Sequence, residues 1–185
     1  MEKFDIFEDV AKRTGGDIYI GVVGPVRTGK STFIRKFAEM VILPGVLDEY
    51  ELARIRDELP QSGGGKTIMT VEPKFVPDEA IELTIKDGLN VRIRLVDCVG
   101  YAVEGALGYL DETGEARMVR TPWFEHEIPF HEDAELGTRK VINEHATIGL
   151  LMTTDGTITD LARGKYLEAE ERVVAELKEM NKPFV

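Results

Sequence analysis

The spacing of apolar side chains changes several times along the chain, and each change marks an expected element. Apolar residues recur at helical spacing over residues 3–13, which predicts a short amphipathic helix inside an N-terminal extension of residues 1–16. The run DIYIGVVG, residues 17–24, is apolar almost throughout and ends in glycine, which is typical of a strand buried on both faces. The next stretch, residues 31–45, is expected to be a helix that ends at a Pro-Gly pair.

The middle of the chain is expected to contain two loops and a hairpin. Residues 46–72 are largely polar and acidic and include three successive glycines, which predicts a mobile loop. Residues 81–100 form two runs of alternating apolar and polar positions joined by Asp-Gly, which indicates a β-hairpin. Residues 101–133 are rich in Gly, Pro, Glu and aromatic side chains without a clear period, so we expect an inserted loop.

The last third of the chain returns to regular patterns. Residues 134–146 suit a helix, residues 147–156 a buried strand, and residues 165–182 a strongly amphipathic helix. The apolar residues 183–185 are expected to begin a further parallel strand of a longer protein. Strands that alternate with helices predict an α/β domain over residues 17–185, with a mostly parallel sheet, one antiparallel hairpin strand and flanking helices.

Composition narrows the class of partner. The chain has 185 residues, 43% of them hydrophobic, and a net charge of −11 from 34 acids against 23 bases. Such acidity argues against a nucleic-acid partner and against direct contact with anionic lipid. The single cysteine, Cys98, suits a reducing compartment. The N-terminus has no apolar region of a signal peptide, so the sequence predicts a cytoplasmic protein.

A phosphate-binding motif follows the first predicted strand. GPVRTGKST, residues 24–32, has the spacing Gly-x-x-x-x-Gly-Lys-Ser between a strand and a helix. Such glycines let backbone N–H groups converge on phosphate, while Lys30 reaches the β- and γ-phosphates and Ser31 ligates Mg²⁺. The residues expected to contact the phosphates are Gly24, Pro25, Val26, Arg27, Thr28, Gly29, Lys30, Ser31 and Thr32.

The other half of a magnesium–phosphate site is expected at the end of the hairpin. Asp97 closes a hydrophobic strand and is expected to hold Mg²⁺, and Gly100 follows with an N–H for the γ-phosphate. A threonine on a mobile loop commonly completes such a site. Thr70 and Thr67 are both available, and we favour Thr70 because it is nearer the next strand. The predicted metal ligands are therefore Ser31, Thr70 and Asp97.

Arg27 is unusual at the fourth position of the loop. In related GTPases an asparagine there helps to hold potassium, so one hypothesis is that the guanidinium supplies this positive charge in cis. The alternative is that Arg27 points outward and pairs with surface acids. With the first hypothesis the expected catalytic residues are Lys30, Arg27, Thr70 and Asp97. Tyr101 occupies the position of the water-orienting glutamine of many GTPases, so slow turnover is expected.

Three further features are interpreted as structural. His126 and His131 lie among acids, but their spacing matches no known metal-ligand set, which favours a surface or interface segment. Cys98 is interpreted as a packing residue. The nearby aromatic residues are expected to anchor the 101–133 segment to the core or to a neighbouring subunit, and they are Trp123, Phe124 and Phe130.

Five stretches, which cover nearly the whole chain, resemble the N-terminal part of stage IV sporulation protein A, a family of spore-coat morphogenetic ATPases in endospore-forming bacteria. The stretches are GDIYIGVVGPVRTGKSTFI, LPQSGGGKTIMTVEPKFVP, NVRIRLVDCVG, TPWFEHEIPFHE, and TTDGTI with EAEERVVAELKEMNKPF.

The resemblance implies a P-loop NTPase fold of the translation-factor-related (TRAFAC GTPase-like) type, with ATP and Mg²⁺ rather than GTP. The family's lysine, mobile-loop threonine and strand-end aspartate correspond to Lys30, Thr70 and Asp97. The resemblance also implies hydrolysis coupled to polymerisation into the basement layer of the spore coat, on the mother-cell side of the forespore surface. Other coat proteins and a small amphipathic membrane-anchoring peptide are implied as partners of regions outside this chain.

The residues alone leave two alternatives to an ATPase open. One is a nucleotide-gated scaffold with negligible turnover, and the other is a small GTPase switch. The motif that reads guanine would follow the next strand, beyond residue 185, so the preference for ATP comes from the resemblance.

Overall fold

The computed structural model describes residues 17–61, 72–84, 90–121 and 123–185. In chain order the strands are β1 (Asp17–Val23), β2 (Lys74–Thr84), β3 (Asn90–Asp97), β4 (Met118–Val119), β5 (Ile128–Pro129) and β6 (Ile148–Leu151). The helices are α1 (Lys30–Phe37), α2 (Glu49–Glu58), α3 (Phe130–Lys140) and α4 (Leu167–Glu179). The predicted N-terminal helix, the Asp-Gly turn of the hairpin, and both candidate threonines, Thr67 and Thr70, lie outside the described residues.

The central sheet has the strand order β2-β3-β1-β6. Strand β1 is parallel to both β3 and β6, and β2 pairs antiparallel with β3, which confirms the mostly parallel sheet and its hairpin partner. The final residues also pair as predicted: Phe184 forms a parallel bridge with Gly149, and the Val185 N–H donates to the Gly149 carbonyl at 3.0 Å.

Both faces of the sheet are covered. Val22 and Leu95 pack into one hydrophobic cluster with residues of α1 and α2, whereas Val23 and Val96 pack into a second cluster with residues of α3 and α4. Neighbouring residues of β1 and β3 therefore enter opposite cores, because successive side chains of a strand point to opposite faces. Burial on both faces of the sheet therefore explains why residues 17–24 are apolar almost throughout.

The helix after the first strand ends where the Pro-Gly pair predicts. Helix α1 continues through a turn of π-helix, Ala38–Ile42, and a 3-10 turn, Leu43–Gly45. The amphipathic helix expected over residues 165–182 is also confirmed, as a 3-10 turn at Arg163–Tyr166 followed by α4.

The prediction of a loop throughout residues 46–72 is wrong for Glu49–Glu58, which form α2. Its acidic composition suggested a solvated loop, but the Asp48 carboxylate accepts the N–H of Glu51 at 2.7 Å and caps the helix. Acids in the first turn also suit the positive end of the helix. Ile55, which is fully buried, attaches α2 to the core.

The inserted segment 101–133 is more structured than predicted. Val119 of β4 pairs antiparallel with Ile128 of β5, and α3 begins at Phe130 rather than at the predicted residue 134. Both changes arise because the segment folds back onto the core through side chains that have no regular spacing. Val119, Ile128 and Phe130 are all buried in the cluster beneath α3 and α4.

The expected aromatic anchors differ in their burial. Phe130 is fully buried, so its predicted role is confirmed. Trp123 is partly buried, with the Lys140 ammonium 4.7 Å from the centre of its ring, and Phe124 remains 43% exposed. No helix among the described residues is long and apolar enough to cross a bilayer.

Replacement of Leu95 by Ala is expected to reduce the free energy of unfolding by about 2–5 kcal/mol, because the side chain is 0% exposed between β1 and the helices. Leu47→Ala is the matched control, since Leu47 is 95% exposed and its loss should change stability by less than about 0.5 kcal/mol. Urea unfolding followed by circular dichroism measures both. Equal effects of the two substitutions would contradict this account of the core.

Candidate functional site

The backbone of residues 24–32 curls between β1 and α1 as a phosphate loop requires. Gly24, Arg27 and Gly29 all have positive φ angles, of 143°, 59° and 87°. This conformation is easy for glycine and uncommon for other residues, so Arg27 is held in it by the loop. No side chain among the described residues caps the start of α1, and the positive end of a helix is a favourable place for an anion.

The loop is joined to the segment after β3 by backbone hydrogen bonds. The Tyr101 N–H donates to the Gly24 carbonyl at 3.2 Å, and the Val26 N–H donates to the Tyr101 carbonyl at 2.9 Å. At Gly100, where φ is 100°, a Cβ would lie 2.4 Å from the Gly24 carbonyl oxygen and 2.5 Å from Lys30 Nζ. Position 100 therefore requires glycine, because the segment passes directly against the loop.

Lys30 points into the loop. Its side-chain nitrogen donates to the Pro25 carbonyl at 2.6 Å, and the residue is only 4% exposed. Burial lowers the pKa of Lys30, and the nearby Cys98 and Asp97 act in the opposite direction. An ammonium in such a place needs an anionic partner, which a polyphosphate supplies.

Ser31 and Asp97 meet across the site. The Ser31 hydroxyl donates to Asp97 Oδ2 at 2.6 Å. Asp97 Oδ1 is buried and has no hydrogen-bond partner among the described residues. Burial raises the pKa of Asp97, while the Ser31 hydrogen bond and the Lys30 charge lower it. A hydroxyl and an orphaned carboxylate oxygen are ligands that suit Mg²⁺.

The loop residues, Asp97 and Gly100 thus lie together as the sequence predicts, and three of these residues have contacts or exposure that the sequence did not predict. Thr32 lies on the exposed side of α1. The Gly100 N–H, predicted to bind the γ-phosphate, donates to the Thr138 hydroxyl at 3.1 Å. Thr28 is turned inward, where its hydroxyl donates to the Pro25 carbonyl at 3.0 Å.

The side chain of Tyr101 is directed away from the phosphate loop. Its hydroxyl donates to Glu176 of α4, and the Arg172 guanidinium lies 4.1 Å from the centre of its ring. Burial, together with the Glu176 carboxylate, raises the pKa of Tyr101. Tyr101 therefore fastens the loop to α4.

Two buried polar residues of α3 were not found from the sequence, and one of them, Thr138, contacts the site through Gly100. Thr138 is fully buried on α3, and its signal is weak: it follows Ala134 and Gly137 at helical spacing on a face of small residues. Asp133 is also fully buried, and neither carboxylate oxygen has a hydrogen-bond partner within the part of the chain that the structure describes. Burial raises the pKa of Asp133 to about 6. The Glu72 carboxylate adds to this rise, and the nearby Trp123 side chain acts to lower the pKa.

The other candidates have ordinary environments. The centres of the His126 and Phe124 rings are 5.6 Å apart, and His131 Nε2 lies 4.0 Å from Glu132 Oε1. No cluster of three His, Cys, Asp or Glu side chains in the described ranges is arranged to hold a metal. Cys98 is buried, its thiol donates to the Val22 carbonyl at 3.4 Å, and burial raises its pKa to about 11, which confirms a packing role.

The family model and the similar proteins that match this chain all carry the same protein name. A family model described as "Stage IV sporulation protein A, ATPase domain" matches residues 1–185. Proteins named "Stage IV sporulation protein A" from Bacillus subtilis (strain 168) and Bacillus anthracis are 67% and 64% identical over all 185 residues. The one from Clostridioides difficile (strain 630) is 58% identical over 180 residues, which is 97% of this chain and 36% of that protein. The chain spans 37% of the length of the two Bacillus relatives.

Replacement of Asp133 by Asn is expected to stabilise the protein near neutral pH. The pKa of this carboxyl rises from 3.8 to about 6 on folding, so its contribution to stability is present below pH 3.8 and is lost as the pH rises through about 6. Removal of the charge should therefore increase the free energy of unfolding at about pH 7.5 by on the order of 1–2 kcal/mol.

Urea unfolding between about pH 5 and pH 8 measures this effect, which should grow through about pH 6 and then level off. Glu132→Gln is the control, because Glu132 is the next residue on the same helix and its side chain is 59% exposed. A gain that is the same at every pH, or an equal gain in the control, would show that the buried charge is not its source.

Proposed function

This chain belongs to the stage IV sporulation protein A family, as its ATPase domain, and on that premise we propose that it binds and hydrolyses ATP at residues 24–32. The observation that carries the proposal is the arrangement of Lys30, Asp97 and Gly100 around one loop. The ammonium, the Ser31–Asp97 pair and the close approach of Gly100 all meet at the same curled backbone. Such an arrangement suits a polyphosphate with its magnesium ion.

We also propose that the domain is of the translation-factor-related (TRAFAC GTPase-like) type. The support is an edge strand, β2, that runs antiparallel to an otherwise parallel sheet and directly follows the predicted switch loop. The order of the motifs along the chain agrees with this: loop, switch threonine, then Asp-x-x-Gly at the end of β3.

Each residue of the site has a distinct task in the proposed reaction. The backbone N–H groups of the loop and the Lys30 ammonium bind the phosphates and offset charge that develops on them. Ser31 and Asp97, with Thr70, hold the metal. A Mg²⁺ ion held by these residues would supply positive charge that offsets the charge of the phosphates. The Gly100 N–H binds the γ-phosphate.

Arg27 is proposed to act on the leaving group. It lies between Val26 and Thr28, both buried, yet is itself partly exposed at the rim of the loop. A guanidinium held at this turn can reach the oxygen that bridges the β- and γ-phosphates and stabilise its developing charge. This is the role that a potassium ion or an arginine finger has in related enzymes.

For a protein of the length of the Bacillus relatives, of which this chain spans 37%, we propose that hydrolysis is coupled to a change of shape and to polymerisation in the spore coat. The site of action would be the mother-cell side of the forespore surface. Contacts with other coat proteins and with a membrane-anchoring peptide would use regions outside this chain. Turnover is proposed to be slow, because Tyr101 is packed on α4 rather than turned toward the phosphates.

Phosphate release from Mg·ATP and Mg·GTP tests the proposed activity. ATP should be the better substrate, and Lys30→Ala should reduce the rate by about 100-fold or more, since it removes a cation that acts on the transferred phosphate. Lys36→Ala is the matched control, because Lys36 lies on the same helix with its side chain 65% exposed.

Other results would select one of the alternatives. Tight ATP binding without phosphate release from any variant indicates a nucleotide-gated scaffold. Preferential turnover of GTP indicates a GTPase switch.

Arg27→Ala is expected to lower kcat by about 10- to 100-fold while the KM for ATP stays nearly constant, because the guanidinium is used in the transition state. Arg27→Lys keeps a positive charge without the planar fork and should recover only part of the rate. Steady-state kinetics with and without potassium measure both variants. Hydrolysis by Arg27→Ala at the wild-type rate in sodium buffer would refute the cis-arginine role.

A further inference from the structure

We propose that Thr138 is a positioning residue that sets how strongly the site distinguishes ATP from ADP, because its hydroxyl holds the Gly100 N–H that is proposed to bind the γ-phosphate. The proposal rests on the function proposed above. It assigns a role to a buried residue of α3 that does not itself contact the phosphates.

The hydrogen bonds of Thr138 have a fixed direction. The Thr138 hydroxyl donates to the Ala134 carbonyl at 2.7 Å, one turn earlier on α3, and accepts the Gly100 N–H at 3.1 Å. Since Thr138 is 0% exposed, water cannot replace either partner. The hydroxyl donates to the helix and its oxygen accepts from Gly100, with the Cys98 thiol beside both groups.

The two acceptors compete for one donor. A backbone N–H makes one well-directed hydrogen bond, so Gly100 must leave Thr138 before it can donate to the γ-phosphate. Within residues 97–101, Gly100 is the position at which the backbone can rotate in this way. Asp97 is held by Ser31, and Tyr101 is held by the loop and by Glu176, whereas Gly100 has no Cβ and has a φ of 100°.

ATP binding would then alter α3 as well as the loop. When the Gly100 N–H turns to the γ-phosphate, Thr138 loses a hydrogen bond at the centre of the helix. Its neighbour Gly137 packs against the segment that follows the predicted switch threonine, since a Cβ there would lie 3.2 Å from Pro73 Cδ. One helix thus contacts both parts of the chain that respond to the third phosphate.

The competing bond lowers affinity for ATP and leaves affinity for ADP unchanged. ADP has no γ-phosphate and does not require the Gly100 N–H. A single hydrogen bond of this kind corresponds to about a 3- to 10-fold change in a binding constant. Wild-type protein should therefore discriminate less between ATP and ADP than a variant that lacks the Thr138 hydroxyl.

The test compares Thr138→Val, which removes the hydroxyl and keeps the branched shape, with Thr138→Ser, which keeps the hydroxyl. Binding of the Mg²⁺ complexes of ADP and of a non-hydrolysable ATP analogue is measured by calorimetry. Thr138→Val should bind the ATP analogue about 3- to 10-fold more tightly with ADP affinity unchanged, and Thr138→Ser should behave as wild type. A purely structural role would shift both nucleotides together.

Equal changes for both nucleotides, no change, or failure of Thr138→Ser to restore wild-type affinities would each overturn the proposal. Wild-type protein that binds neither nucleotide would instead refute the proposed function, on which this inference rests.

A second measurement uses wild-type protein, so it does not depend on whether a variant folds. In ¹⁵N-labelled wild-type protein the Gly100 amide resonance should move on addition of the ATP analogue and not of ADP. Equal movement with both nucleotides would overturn the role of Thr138.

Discussion

The phosphate loop and the end of β3 are held together by the backbone of one residue, Tyr101. Its N–H donates to Gly24, its carbonyl accepts from Val26, and its ring and hydroxyl are fastened to α4. The sheet brings Asp97 alongside Val22 through the parallel pairing of β1 and β3. This joint, together with the sheet pairing and the Ser31–Asp97 hydrogen bond, sets how far Lys30 and Ser31 lie from Asp97 and Gly100.

The site is suited to an anionic ligand although the molecule as a whole is negatively charged. The chain carries a net charge of −11, which repels an anionic ligand at a distance. Inside the site, burial favours the neutral forms of both Lys30 and Asp97. A phosphate beside the lysine and a divalent cation beside the aspartate favour the charged form of each, so the buried pair is complementary to a metal–nucleotide complex rather than to either component alone. Local N–H groups and one ammonium thus replace a broad basic surface.

Sequence patterns predict the parts of this site that depend on local spacing. The positions of Lys30 and Ser31 follow from the motif, and the two-sided burial of β1 follows from its apolar run. Helix α2 was missed because its acidic composition outweighed a capping signal, Asp48, that is visible only when the helix is already suspected. Local capping and one buried isoleucine were enough to form a helix there.

Residues that act through tertiary contacts could not be predicted in this way. The partner of Tyr101, Glu176, is 75 positions away, and the partner of Gly100, Thr138, is 38 positions away. Contacts between residues so far apart leave no periodic pattern in the sequence. Asp133 was also invisible, because its raised pKa comes from burial and from Glu72, neither of which its sequence neighbours reveal.

These long-range contacts connect the site to two different helices, α4 through Tyr101 and α3 through Gly100. Tyr101 is clamped between the loop and α4, so a movement at Gly100 cannot pass through it without breaking the joint on which the loop depends. Asp97 is held on the other side by Ser31. Among the described residues, a further connection is the hydrogen bond from Gly100 to Thr138, which leads to α3 and, through Gly137, to Pro73, the residue before β2. Helix α4 therefore supports the loop through Tyr101, and under the proposal made for Thr138, α3 would be the helix that responds to a third phosphate.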